Sequence, residues 1–208
     1  MYICKKIVSA TLAMLLILLL PSISYAKSPS ELWGDFLSGP SEHSYRALDH
    51  SLNKCAGACV KGMLSISVDM MEKLEDLISD GDGYSVSIGL KTKEITNNDN
   101  EVIEFIDRGL ARAITRNALE TLKIVRKSGV DEITFKDFVT LTSRDSIDDV
   151  PRWRFELVER QQALKRVSDS SVATLRDTAL QEIEILLKQY ADLPDDSDSL
   201  CMGKPCHE

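Results

Sequence analysis

The sequence lacks the short motifs that usually identify an enzyme. It contains no His-Glu-x-x-His, no Gly-x-Ser-x-Gly and no glycine-rich phosphate-binding loop. This absence argues against an enzyme of those classes. The enzyme that stays open as an alternative has carboxylates assembled only in the fold, for which the candidates are Glu42, Asp49, Asp80 and Asp82.

Positive charge is also scarce. The chain has 25 Lys and Arg residues against 33 Asp and Glu residues, a formal net charge of −8. A nucleic-acid partner requires clustered basic residues, so we exclude that class. An acidic surface instead speeds encounter with a basic protein, and we expect a partner of that kind.

No apolar run is long enough to span a bilayer. The longest, residues 7–20, has about 14 residues, against roughly 20 needed. It follows Lys5 and Lys6 and precedes the small residues Ser24 and Ala26, a pattern typical of a secretory signal peptide cleaved after Ala26. Cleavage would move the formal charge to −10 and leave a chain that we expect in the periplasm or secreted, without membrane association. The chain has no Asn-x-Ser/Thr glycosylation site, which is compatible with a bacterial periplasm.

The apolar spacing predicts a mainly α protein, a bundle of five to six helices in one domain over residues 27–193. A capping box at Ser28 and Glu31 opens a helix over 29–38. Steps of three and four predict long helices over 41–79 and 100–128, which we expect to pair along their length. A short helix is predicted over 134–143, with a strand over 132–141 as the alternative. Another helix is predicted to start at Pro151, and a last helix to end at residue 193.

One segment has a different periodicity. Tyr84, Val86, Ile88 and Leu90 alternate with polar or small residues, which predicts a small β excursion within residues 84–96. Such a piece is marginal alone and would have to pack on the helices.

Four cysteines remain after the signal: Cys55, Cys59, Cys201 and Cys206. An even count in an oxidising compartment favours two disulfides. Because a bridge within one helix has poor geometry, we predict that the tail, residues 194–208, is stapled to the second helix. The alternative closes Cys201 on Cys206.

Metal and haem are the competing hypotheses for the tail. Cys55, Cys59, Cys206 and His207 could form a zinc site, and Cys201-x₄-Cys206-His207 is a longer-spaced variant of a c-type haem attachment sequence. His43 and His50, seven residues apart, could also bind a metal. We expect no cofactor, because disulfides compete for the thiols.

The favoured function is therefore an exported, acidic, helical binding protein, of the inhibitor or immunity type, with a basic protein partner. The alternatives are the enzyme with fold-assembled carboxylates and a metal- or haem-binding protein that uses the tail.

Overall fold

The structure is a computed structural model, and it describes residues 27–54, 67–96, 100–146 and 149–191. These residues form eight α-helices and contain no strand. The helices are α1 Pro29–Ser38, α2 Glu42–Lys54, α3 Val68–Ser79, α4 Gly83–Ile95, α5 Asn100–Ser128, α6 Glu132–Thr140, α7 Val150–Lys165 and α8 Ala173–Gln189. The mainly α class is confirmed.

Helix α1 has the predicted bounds and the predicted capping box. The Glu31 backbone N–H donates to Ser28 Oγ at 3.3 Å, and the Ser28 backbone N–H donates to Glu31 Oε2 at 2.7 Å. The two bonds satisfy donors that a helix start would otherwise leave open. Trp33, Phe36 and Leu37 form the buried face of this helix.

The predicted β excursion over residues 84–96 is wrong, because α4 covers this segment. Asp82 caps the helix by accepting a hydrogen bond from the Ser85 backbone N–H at 2.9 Å. The alternation misled because α4 packs against α2, α3 and α5 and is buried around much of its circumference, so it shows no single apolar stripe. Gly89 and Thr92 are buried beside Ile88.

The predicted continuous helix over 41–79 is also wrong. Ser67 has an extended backbone (φ −65°, ψ 156°) and stands at the N-terminus of α3, so no helix runs through it. Together with the helical α4, this break brings the described part of the chain to eight helices instead of five to six. Of the two segments, α3 packs along α5, while α2 packs on α1 and α4. Of the helix predicted over 41–79, only the part that forms α3 therefore pairs with α5 as expected.

Helix α5 has the predicted bounds and forms the centre of the bundle, with α3, α4, α6 and α7 around it. It is kinked at Asn117, whose backbone is non-helical (φ −144°, ψ 64°). The turn between α3 and α4 lies against this kink, where Asn117 Nδ2 donates to Gly81 O at 3.4 Å. Gly81 has φ +72°, and a Cβ there would lie 2.9 Å from Asn117 Cβ, so the position needs glycine.

The last three helices follow the predicted order. Asp131 caps α6, which begins two residues before the predicted start, and the strand alternative over 132–141 is wrong. Pro151 lies in the first turn of α7, as expected, and a 3₁₀ turn, Ser170–Val172, leads into α8. α8 ends at Gln189, four residues before the predicted end.

A single cluster of buried side chains joins all eight helices. Its largest fully buried members include Trp33, Phe36, Phe105, Phe135 and Phe138. Among the residues that the structure describes, no helix combines the length and the apolarity needed to cross a membrane.

Candidate functional site

A groove of about 1100 Å³ lies between α2, α4, α5 and α6. Helix α4 supplies one wall, because Tyr84, Ser87, Lys91 and Glu94 follow one another at steps of three and four and share one face. The opposite walls come from the two ends of α5 and from the start of α6. The kink at Asn117 separates the two parts of α5 that line the groove.

The groove is rich in charge and acidic in balance. Its lining includes seven carboxylates and four lysines, and so carries a formal charge of −3. The carboxylates are Asp49, Asp82, Glu94, Asp107, Glu120, Asp131 and Asp137, and the lysines are Lys91, Lys93, Lys123 and Lys127.

Several of these groups serve the fold. Asp82 and Asp131 cap α4 and α6, and hydrogen bonds from the Thr134 side chain and backbone lower the pKa of Asp131. Lys123 pairs with Asp169 at 3.3 Å, outside the groove. Asp49 accepts a hydrogen bond from Asn53 at 3.0 Å. These side chains are already engaged and define the shape of the groove.

A buried ion pair joins α4 to α5 at the groove. Lys93 donates to Asp107, and the side chains are only 13% and 6% exposed. Burial raises the pKa of Asp107, although the hydrogen bond and the charge of Lys93 act in the opposite direction. The Lys93 ammonium also lies 5.5 Å from the centre of the Phe138 ring, which stabilises it further. The pair therefore tethers α4 to α5 and reaches the edge of α6.

Three carboxylates of the groove remain without a partner in the described part of the chain: Glu94, Glu120 and Asp137. They belong to α4, α5 and α6 and are all exposed. Three helices thus present solvated negative charges toward one cavity, which can attract a cation without first breaking an ion pair of the fold.

Two tyrosines form the aromatic part of the wall. The rings of Tyr45 on α2 and Tyr84 on α4 lie 5.2 Å apart and are inclined at 34°. Burial raises the pKa of Tyr45, and the charge of Asp49 adds to the effect. Both rings offer faces that can hold Lys or Arg side chains.

Of the four carboxylates predicted from the sequence, the groove contains two. Asp49 and Asp82 line it, whereas Glu42 pairs with Arg46 and Asp80 with Arg116. The predicted group does not assemble into one site.

His43 and His50 are exposed on α2. No group of three or more His, Cys, Asp or Glu side chains with metal-binding geometry occurs in residues 27–54, 67–96, 100–146 and 149–191. Cys55, Cys59, Cys201, Cys206 and His207 lie outside the described residues, so the disulfide staple and the alternatives for the tail stay predictions.

Sequence reasoning missed Glu94, Glu120, Asp107 and Asp137. Each occurs in an ordinary helical pattern, and only the packing of α4 and α6 around α5 brings them to one groove. Comparison of the chain with protein-family models, with curated proteins and with solved structures finds no match.

Proposed function

We propose that the chain is an exported binding protein that holds a basic segment of another protein in the groove between α2, α4, α5 and α6. The proposal depends chiefly on one observation. Glu94, Glu120 and Asp137, on three different helices, face one cavity and have no partner within the described residues.

The chemistry of the groove matches Lys and Arg side chains. Exposed carboxylates attract the cations over long range and raise the rate of encounter. The Tyr45 and Tyr84 rings supply aromatic faces for cation–π contact, worth about 0.5–1 kcal/mol each at exposed sites. A volume of about 1100 Å³ has room for several side chains of an extended or helical segment.

The location belongs to the same proposal. A signal peptide over residues 1–26 would deliver the protein to the periplasm or the medium, where an inhibitor or immunity-type protein meets a basic enzyme or toxin. In that compartment, disulfides from Cys55 and Cys59 to Cys201 and Cys206 would fasten the tail to the segment that follows α2 in the sequence. The mass of the alkylated protein before and after reduction counts these bridges, and four free thiols would contradict them.

An enzyme is the second candidate, and one observation favours it. Asp107 and Asp137 are near enough for the charge of Asp137 to contribute to the raised pKa of Asp107. Two carboxylates with unequal environments in one groove are a common acid–base arrangement. The binding function is preferred because Asp107 already accepts a hydrogen bond from Lys93.

The binding proposal is tested by titrating a fluorescein-labelled octalysine peptide with the protein and following anisotropy at low and at physiological salt. The groove variant Glu94→Gln/Glu120→Gln/Asp137→Asn should bind at least tenfold more weakly at low salt. That factor corresponds to about 1.4 kcal/mol, or roughly 0.5 kcal/mol for each exposed charge removed.

The matched control is Glu72→Gln/Asp76→Asn/Glu101→Gln. It removes the same charge from exposed positions outside the groove. Equal weakening in both variants would mean that the peptide responds only to net charge, and would contradict a groove-directed function.

A further inference from the structure

A second cavity, of about 300 Å³, has the opposite charge. It lies between α5, α7 and the segment that follows α6, and it shares no lining residue with the groove. Its charged lining consists of four arginines and two glutamates: Arg112, Arg116, Arg152, Arg160, Glu156 and Glu159. The formal charge of this lining is +2, in a chain whose net charge is −8.

Arg160, on α7, is the buried member, with 1% of its surface exposed. Its guanidinium is held by main-chain carbonyls: Nε donates to Ala111 O at 3.0 Å, and Nη1 donates to Val139 O and Leu141 O, both at 2.7 Å. Nη2 makes no hydrogen bond with any described residue. A buried cation is normally paired with an anion, but here three peptide dipoles are its direct partners.

Arg112, on α5, adds a second cation beside it. One of its terminal nitrogens, Nη2, pairs with Glu75, while its Nε is buried without a hydrogen-bond partner in the described part of the chain. Burial lowers the pKa of Arg160 to about 10. The like charge of Arg112 also lowers this pKa, whereas the charge of Glu156 raises it. The two guanidiniums are therefore close enough to repel, and each has an unused N–H donor.

Glu156 does not neutralise the pair by direct contact. Its carboxylate accepts hydrogen bonds from the Ser143 backbone N–H at 2.8 Å and from the hydroxyls of Ser143 and Ser146. Its closest ion-pair contact is with Arg152 Nε, at 3.8 Å. The acid is thus committed to the segment around Ser143. Of the other lining arginines, Arg116 pairs with Asp80 and Arg112 with Glu75, so the donors still open are Arg160 Nη2 and Arg112 Nε.

We propose that this cavity binds a phosphate group. Guanidinium forks match the oxygens of phosphate, and several arginines around one small cavity are the usual means of recognising it. Phosphate is favoured over a single carboxylate because its larger charge and additional oxygens can engage several guanidiniums at once. Thr115 also lines the cavity, and its hydroxyl, which donates to Ala111 O at 3.4 Å, would have to exchange that bond to donate to a phosphate oxygen.

Isothermal titration calorimetry of the intact protein tests the proposal, with sodium phosphate, sulfate, acetate and chloride at matched ionic strength. Phosphate and sulfate should bind with 1:1 stoichiometry, and acetate at least tenfold more weakly. Glycerol 1-phosphate is added because the cavity is larger than a phosphate ion. If the ester binds more tightly than free phosphate, the natural ligand is a phosphate monoester. If the two bind equally, the natural ligand is the free phosphate ion. No heat beyond that of chloride, or acetate binding as tightly as phosphate, would overturn the proposal.

The variant Arg116→Gln/Arg152→Gln locates the site. Both side chains are about half exposed, so the change removes two cations with little risk to the fold. Phosphate affinity should fall at least tenfold, whereas Arg46→Gln/Arg166→Gln, which removes the same charge from exposed positions elsewhere, should leave it unchanged. An equal loss in both variants would overturn the assignment to this cavity. Thermal unfolding with and without phosphate gives a second readout, because a ligand of the native state raises its stability.

Discussion

The contact between α3, α4 and α5 gives a sharp test of the packing around Ile78. This side chain is fully buried and lies between Gly89 of α4 and Gly109 of α5. A Cβ at Gly89 would lie 2.5 Å from Ile78 Cδ1 and 3.2 Å from Cγ1. A Cβ at Gly109 would lie 3.0 Å from Ile78 Cβ and 3.1 Å from the Glu75 carbonyl oxygen. The two glycines thus form the hole that Ile78 fills.

The magnitude follows from which atoms must move. In Gly109→Ala the new methyl meets a Cβ and a backbone oxygen, so α3 as a whole must shift. Overpacking of this kind costs about 1–3 kcal/mol, and the better helix propensity of Ala returns about 1 kcal/mol. We expect a net loss of up to about 2 kcal/mol. Gly34→Ala in α1 is the control, since no atom lies within 4 Å of the added Cβ, and it should gain about 0.5–1 kcal/mol.

Gly89→Ala should behave differently, because its main clash is with the end of the Ile78 side chain. Ile78→Val removes that Cδ1 and alone should cost about 0.5–1.5 kcal/mol. The loss of unfolding free energy in the double variant Ile78→Val/Gly89→Ala should therefore be smaller than the sum of the losses in the two single variants, by about 0.5 kcal/mol or more. Ile78→Val should not rescue Gly109→Ala, because Cβ and Cγ2 remain.

Urea unfolding followed by circular dichroism measures all of these differences on one scale. A Gly109→Ala protein as stable as Gly34→Ala would refute the close approach of α3 to α5. So would equal rescue of both glycine variants by Ile78→Val, since the structure assigns their clashes to different atoms of Ile78.

The buried charges give three further predictions. Lys93→Met leaves Asp107 buried and unpaired, which should lower the free energy of unfolding by about 3–5 kcal/mol at pH 7. The loss should be smaller at pH 4, because Asp107 gains a proton there. Urea unfolding at the two pH values measures the difference. Because the pKa of Asp107 is raised in the folded protein, stability should fall as pH rises through that pKa. Asp107→Asn should remove this fall, and a pH profile parallel to that of the unchanged protein would contradict it. Arg160→Met removes the side-chain donor of Val139 O and Leu141 O, while Ala111 O keeps the Thr115 hydroxyl, and should cost about 2 kcal/mol or more; a change below 1 kcal/mol would count against the role of these bonds.

The sequence predicted the helices whose starts carry a local signal. Ser28 with Glu31 marks the start of α1, and the bounds of α5 follow from its long apolar stripe. Local patterns failed where burial surrounds a helix. In α4 the apolar residues point to three neighbouring helices, so their spacing resembles that of a strand, and the cap formed by Asp82 and Ser85 was the one helical signal.

The candidate sites lay further beyond sequence reasoning. Glu94, Glu120 and Asp137 are ordinary exposed carboxylates until packing places their three helices around one groove. Arg160 is likewise one arginine among several in α7, and only the fold buries it against carbonyls of residues 111, 139 and 141. Tertiary contacts between distant segments create both cavities, and no local spacing encodes them.

Hydrogen exchange of the protein with and without the octalysine peptide, at low salt, reports directly which surface the basic peptide covers. Exchange should slow in α4 and α6, over residues 83–95 and 132–140, and should not change in α1 or α8. Protection on another face, with α4 and α6 unaffected, would contradict the assignment of the groove as the binding surface.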